Sequence, residues 1–145
     1  MFLYSTSNGA SAINQILTGT RAFRAAVSHA GVADWLRYYE EQKERQADVL
    51  IAGFLGGRKP EDSPELYRRI SPVYQAEKIK TPLILAVGEN DIRFADAQRF
   101  HEALKQAGAP VTFVTYPNEG HGISNPVTAE EHLRKAMEFF RSNSR

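Results

Sequence analysis

Phe2-Leu3-Tyr4-Ser5-Thr6-Ser7-Asn8-Gly9-Ala10 is the stretch on which the fold turns. A short apolar run leads into a turn with a serine at its apex, and helical periodicity then holds from Gly9 to Leu17. Strand, sharp turn, helix is the context a nucleophile elbow of the G-x-S-x-G kind requires, because the turn lifts the serine hydroxyl off the end of the sheet. Small residues belong on either side so that strand and helix can approach. Gly9 meets that need, while Ser5 stands where the motif has its first glycine. Serine in such a turn also serves as an ordinary helix N-cap, and at this point both readings stand.

Three more apolar runs without alternation follow: Ala25 to Ser28, Leu83 to Val87 and Val111 to Tyr116. Runs of this kind suit a parallel sheet covered on both faces. Helical stretches lie between and after them, at about Trp35 to Phe54, about Ala95 to Ala107 and Thr128 to Phe140, with a short helix near Glu65 to Ile70. Thr128-Ala129-Glu130-Glu131 reads as a capping box for the last helix. Alternating strands and helices predict an α/β fold with an open, mostly parallel sheet of about four strands.

Two further residues follow strand ends, where such sheets place their chemistry. Leu83-Ile84-Leu85-Ala86-Val87 leads into Gly88-Glu89-Asn90-Asp91. Asp91 is a candidate acid, with an Asx-turn reading beside it and Glu89 as the other carboxylate in reach. After the fourth strand, Tyr116-Pro117-Asn118-Glu119-Gly120-His121-Gly122-Ile123 carries a histidine between glycines. His101 and His132 sit among charged helix neighbours and read as solvated, and His29 reads as structural. Serine, aspartate, histidine, each just after a strand, is the chain order of the hydrolase triads that use an elbow. In that chemistry His121 takes the Ser7 proton, Asp91 fixes the imidazole tautomer, and the Asn8 backbone N–H at the helix start donates to the developing oxyanion.

Composition narrows the alternatives. The chain has 145 residues, 42% hydrophobic and 24% charged, with a net charge of +1, the profile of one globular domain. The absence of any basic stripe argues against a nucleic-acid groove, and the N-terminal apolar run is too short for a signal peptide or membrane span. With no cysteine there is neither a thiolate metal site nor a thiol nucleophile. A cytoplasmic location is the default expectation.

The residues resemble the prolyl oligopeptidase family of serine peptidases, which includes dipeptidyl and acylaminoacyl peptidases, over nearly the whole chain. Arg21 to Trp35, the segment Ser63-Pro64-Glu65-Leu66-Tyr67-Arg68-Arg69-Ile70-Ser71-Pro72, Thr81 to Leu85 and Tyr116 to Gly122 carry the likeness. Ser5, Ala10 and Val87 depart from it at positions where the family has glycine, glycine and commonly histidine. The resemblance implies the C-terminal half of an α/β-hydrolase fold, and cleavage of peptide, aminoacyl or acyl-peptide bonds in short substrates without a cofactor. It also implies a specificity pocket near Trp35, Tyr38 and Tyr39, against the bland reading of Trp35 in the core and the tyrosines on a helix face. Family members have strands before the elbow, so residues 1–145 read as a single partial catalytic domain. The Phe2 to Tyr4 strand is then expected to offer an open edge for self-association or a partner chain. The alternatives are a truncated or split-gene module inactive alone and a dienelactone-hydrolase-like esterase.

Overall fold

The protein, seen in a computed structural model that describes residues 1–43, 53 and 55–144, is built on a parallel sheet. Its strands are β1 (Phe2–Thr6), β2 (Ala25–His29), β3 (Leu83–Gly88) and β4 (Val111–Tyr116), in the spatial order β1-β2-β3-β4. Each neighbouring pair is parallel, with Phe2 opposite Ala25, Ala26 opposite Leu83 and Leu83 opposite Val111. β2 and β3 are buried at every position, whereas β1 and β4 are partly exposed. That difference is what unalternating apolar runs in central strands predict. β1 is an outer strand of the described sheet.

The helices are α1 (Ser7–Gly19), α2 (Trp35–Gln42), α3 (Pro64–Arg69), α4 (Phe94–Gln106) and α5 (Pro126–Ser142), with a 3-10 segment at Pro72–Lys78 between α3 and β3. Ile13 and Leu17 of α1 pack with Phe100 and Leu104 of α4 against Leu83 and Leu85 on one face of the sheet. On the other face Ala136, Phe139 and Phe140 of α5 meet Val27, Ile84 and Tyr116. Tyr38, Tyr39 and Tyr67 join α2 to α3 in a smaller cluster. No helix among the described residues is long and apolar enough to cross a membrane.

Three departures from the sequence reading concern the helices' starts, caps and extents. α1 begins at Ser7 rather than Gly9, because the turn residue itself opens the helix. α5 begins at Pro126, and its cap is Asn125, whose side chain accepts the Val127 N–H at 2.9 Å, so Thr128 is not a capping-box residue. Proline at the first helical position fits there because its missing N–H is an orphan anyway. The helix expected from Trp35 to Phe54 is observed to Gln42, and its later part lies largely outside the described residues.

Candidate active site

Ser7 lies at the β1–α1 junction with φ of +56°, a left-handed conformation uncommon for a residue with a side chain. The turn is tight enough that a Cβ on Gly9 would collide with the Ser5 side chain. With glycine at 9 the Ser5 hydroxyl keeps its place on the strand side, where a larger residue would force it to turn away. α1 has no side-chain cap at Thr6. The first N–H groups of the helix, Asn8 among them, thus keep the partial positive charge of a helix start.

β3 ends at Gly88, and a Cβ there would run into the carbonyls of Glu119 and Gly120. The loop after β3 therefore presses directly on the loop after β4. Asn90 N–H donates to Glu119 O at 2.9 Å, and Glu89 N–H to Tyr116 O at 3.0 Å, tying the two together. The Glu119 carboxylate holds the second loop in shape by accepting Ser124 N–H at 2.7 Å and Asn125 N–H at 3.2 Å. Those donors hold the carboxylate below its ordinary range, the Ser124 N–H first.

These loops bring the predicted residues together. His121 Nε2 lies 2.9 Å from Ser7 Oγ, and His121 Nδ1 lies 3.0 Å from Asp91 Oδ2. The Asp91 carboxylate is fully buried, and its other oxygen accepts Arg93 N–H at 2.9 Å. With the Nδ1 proton given to that carboxylate, Nε2 is left as an acceptor for the serine hydroxyl. Glu89 does not compete, since it accepts the Thr115 hydroxyl at 2.8 Å on the exposed surface. The short run from Asp91 into α4 still allows the carboxylate to reach the imidazole.

Arg93, which the sequence reading passed over, spans the site. Its Nη1 donates to Ala30 O at 2.7 Å and stands 3.5 Å from Ser7 Oγ, while Nη2 donates to Asn8 Oδ1 at 3.3 Å. Its guanidinium lies over the Tyr38 ring, 5.4 Å from the centroid, with Nε 3.4 Å from Tyr38 Oη. A buried cation beside Ser7 Oγ favours negative charge developing there.

Of the expected pocket residues, Tyr39 is buried edge-on against Tyr67 and belongs to the core. Tyr38 is buried under Arg93. Trp35 is half-buried and lines a shallow cavity of about 300 Å³ with Asn8, Ser11 and Ile70. A second cavity, of about 340 Å³, is lined by Ser7 and His121 together with His29 and His132. His132 is therefore not solvated as expected: it is 4% exposed, with Tyr116 Oη 2.8 Å from Nδ1 and Tyr4 Oη 3.1 Å from Nε2. Its charged neighbours leave α5 in other directions, while His132 shares the inward face with Ala136. His101 is half-buried and stacks on Phe113 at 4.7 Å. His29 is buried, and burial pushes its imidazole down to about 4. Among the described residues no group of three or more His, Cys, Asp or Glu is arranged to hold a metal ion.

The sequence model of the prolyl oligopeptidase family matches residues 1–145. The chain belongs to the prolyl oligopeptidase family. It is similar to dipeptidyl aminopeptidase BIII of Pseudoxanthomonas mexicana, 28% identical over 94 residues that are 63% of this chain and 12% of that protein. It is also similar to the peptidase YuxL of Bacillus subtilis, 26% identical over 139 residues, 89% of this chain and 20% of the relative. Among solved structures, the uncomplexed acylaminoacyl peptidase of Pyrococcus horikoshii superposes with a TM-score of 0.84 at 26% identity, covering 97% of this chain and 23% of that one. A puromycin-hydrolyzing peptidase of Mycobacterium tuberculosis gives 0.87 at 25% identity, covering 98% and 22%. The chain thus spans about a tenth to a fifth of the length of these curated relatives. The four-stranded sheet and its helices are accordingly an α/β-hydrolase arrangement of the prolyl oligopeptidase family.

Proposed function

We propose that this chain is a serine-type peptidase element that cleaves aminoacyl, peptide or acyl-peptide bonds of short substrates through an acyl-enzyme on Ser7. The observation that carries the reading is the continuous hydrogen-bonded line from Ser7 Oγ through His121 to the buried Asp91, with Ser7 held at positive φ. Family membership supports the reaction class, and relatives named as dipeptidyl and acylaminoacyl peptidases support the substrate class.

In the first half-reaction His121 Nε2 takes the Ser7 proton as Oγ bonds to the scissile carbonyl carbon. The oxyanion develops next to the Asn8 N–H. The C–N bond then breaks as Nε2 passes the proton to the departing amine. In the second half-reaction water bonds to the acyl carbon, gives its proton to Nε2, and the ester bond to Ser7 breaks with return of that proton to Oγ. Asp91 stays ionised throughout and stabilises the imidazolium. Arg93, 3.5 Å from Oγ, adds a fixed positive charge on the Asn8 side.

Hydrolysis of short aminoacyl and acyl-aminoacyl amides, compared with simple acyl esters, tests the substrate class. Turnover of the amides that disappears in Ser7→Ala is expected. Ester turnover with no amide turnover would contradict the peptidase assignment.

A further inference from the structure

The segment from Ala30 to Trp35 carries the chain from β2 into α2, and side chains rather than a strand partner fix its path. Four consecutive N–H groups in it donate to side chains: Val32 to Ser11 Oγ at 2.8 Å, Ala33 to Asp96 Oδ2 at 2.8 Å, Asp34 to Asp96 Oδ1 at 3.1 Å and Trp35 to Ser71 Oγ at 2.9 Å. Val32, Ala33 and Asp34 are buried, so their N–H groups need partners from within the protein. Asp96 alone supplies two of the four acceptors, from a residue that is 1% exposed.

Asp96 sits in the first turn of α4, three residues after Arg93. Positions three apart share a helix face, and here both grip the same segment. Arg93 Nη1 donates to Ala30 O at 2.7 Å, while Asp96 accepts from Ala33 and Asp34. The segment in turn abuts the elbow. A Cβ on Gly31 would come within 2.7 Å of the Ala10 carbonyl carbon and 2.8 Å of Ser11 N, so the two backbones touch. Ser11 Oγ, which accepts the Val32 N–H, donates to the carbonyl of Ser7 at 3.3 Å.

We infer that Asp96 is a positioning residue of the site: its carboxylate anchors residues 30–35 to the start of α4, and through that segment it holds the Ser7 elbow in place against Asp91 and Arg93. The inference rests on the serine-peptidase reading and adds to it a residue that acts without touching substrate. An amide cannot replace the carboxylate, because asparagine has one acceptor oxygen and would turn an NH₂ toward the second N–H. Protonation weakens the anchor in the same way. Burial, acting against the Ala33 N–H, Arg99 and the Asp34 N–H, raises Asp96 to about 6. Two charged groups face it. Arg99 Nη2 lies 3.6 Å from Oδ1 and is itself held by Glu41 of α2 at 3.3 Å. The Asp34 carboxylate accepts the Arg37 N–H at 3.1 Å and the Tyr74 hydroxyl at 3.3 Å. Because the folded state binds this proton more tightly than the unfolded one, Asp96 adds stability as pH falls from about 6 toward its ordinary 3.8. Loss of positioning in that window is therefore separable from loss of fold.

Two readouts test it, the rate at which a fluorophosphonate labels Ser7 and the emission of Trp35, the single tryptophan of the chain and the last residue of the anchored segment. At pH 7.5 Asp96→Asn is expected to label about 10- to 100-fold more slowly than the parent, the order of a small misplacement of reacting groups. Asn125→Ala, which removes the cap of α5, is expected to keep the parent rate. On acidification from pH 7.5 to 5 the Trp35 emission of the parent should change in one step near pH 6. That step should vanish in Asp96→Asn and move to higher pH in Arg99→Gln, which removes a cation that lowers Asp96. Labelling of Asp96→Asn at the parent rate, a flat Trp35 emission in the parent, or a step that Asp96→Asn leaves unchanged overturns the inference while Ser7 labelling stands. If circular dichroism shows Asp96→Asn unfolded, the parent and Arg99→Gln decide, and a step absent from the parent or unmoved in Arg99→Gln overturns it. An unlabelled parent chain overturns the serine-peptidase reading and the inference together.

Discussion

In the proposed mechanism Ser7 has two roles that substitution can separate. Holding a residue with a side chain at φ of +56° costs on the order of 1–3 kcal/mol, a cost glycine does not bear. Ser7→Gly is therefore expected to raise the unfolding free energy by about 1 kcal/mol over Ser7→Ala in urea titrations, while neither variant reacts with a serine probe. Asp91→Asn keeps the shape of the buried group but favours the wrong imidazole tautomer, and is expected to slow acylation by about 10³- to 10⁴-fold in stopped-flow burst kinetics. His29 adds a pH dependence. Its imidazole is pushed down to about 4 by burial, so between its ordinary 6.5 and about 4 the unfolded chain binds a proton that the folded one refuses. Stability therefore falls as pH drops through that window. Asp96 acts in the opposite sense, because burial outweighs its bonds from Ala33 and Asp34 N–H and raises it to about 6. Comparing His29→Gln with the parent isolates the histidine. The variant should lose less unfolding free energy between pH 6.5 and 4, and equal losses would rule out a neutral buried His29.

At the scale of elements, the site depends on two loops pressed together and one cap that starts α5. Gly88→Ala forces a methyl group into the carbonyls of Glu119 and Gly120, and is expected to cost about 2–4 kcal/mol and to slow Ser7 labelling by parting Asp91 from His121. Asn125→Ala removes the cap of α5 and is expected to cost about 1 kcal/mol by thermal unfolding, with the labelling rate unaltered. The four strands were legible in the sequence because apolar runs such as Leu83 to Val87 and Val111 to Tyr116 have turn residues at their ends. The start of α5 was not. Thr128 and Glu131 satisfy a capping-box pattern, but Asn125-Pro126 offers an earlier cap followed by a residue suited to the first helical position, and the helix takes it.

At the scale of the molecule, Ser7, Asp91 and His121 leave the carboxyl ends of three strands, and strand order together with tight loops makes them meet. Leu85 is central to the core on the α1–α4 face, and Leu85→Ala is expected to cost about 2–5 kcal/mol in denaturant unfolding. Ser7 labelling should persist well below the transition. Loss of labelling at temperatures where the variant is folded would mean that the site needs more than strand-end placement. The juxtaposition of Ser7, Asp91 and His121 was readable from chain order because each follows its own strand. Arg93 and His132 were not. The first reaches Ala30 and Asn8 through contacts more than 60 residues distant, and the second faces inward for reasons set by the sheet rather than by its helix neighbours.

The central claim is that Ser7 is a nucleophile activated by His121. Intact-mass measurement of fluorophosphonate labelling at neutral pH tests it most directly. The account predicts one adduct on the parent chain, mapped to the peptide containing Ser7, and none on Ser7→Ala. An unlabelled parent chain, or an adduct that persists in Ser7→Ala, would contradict it.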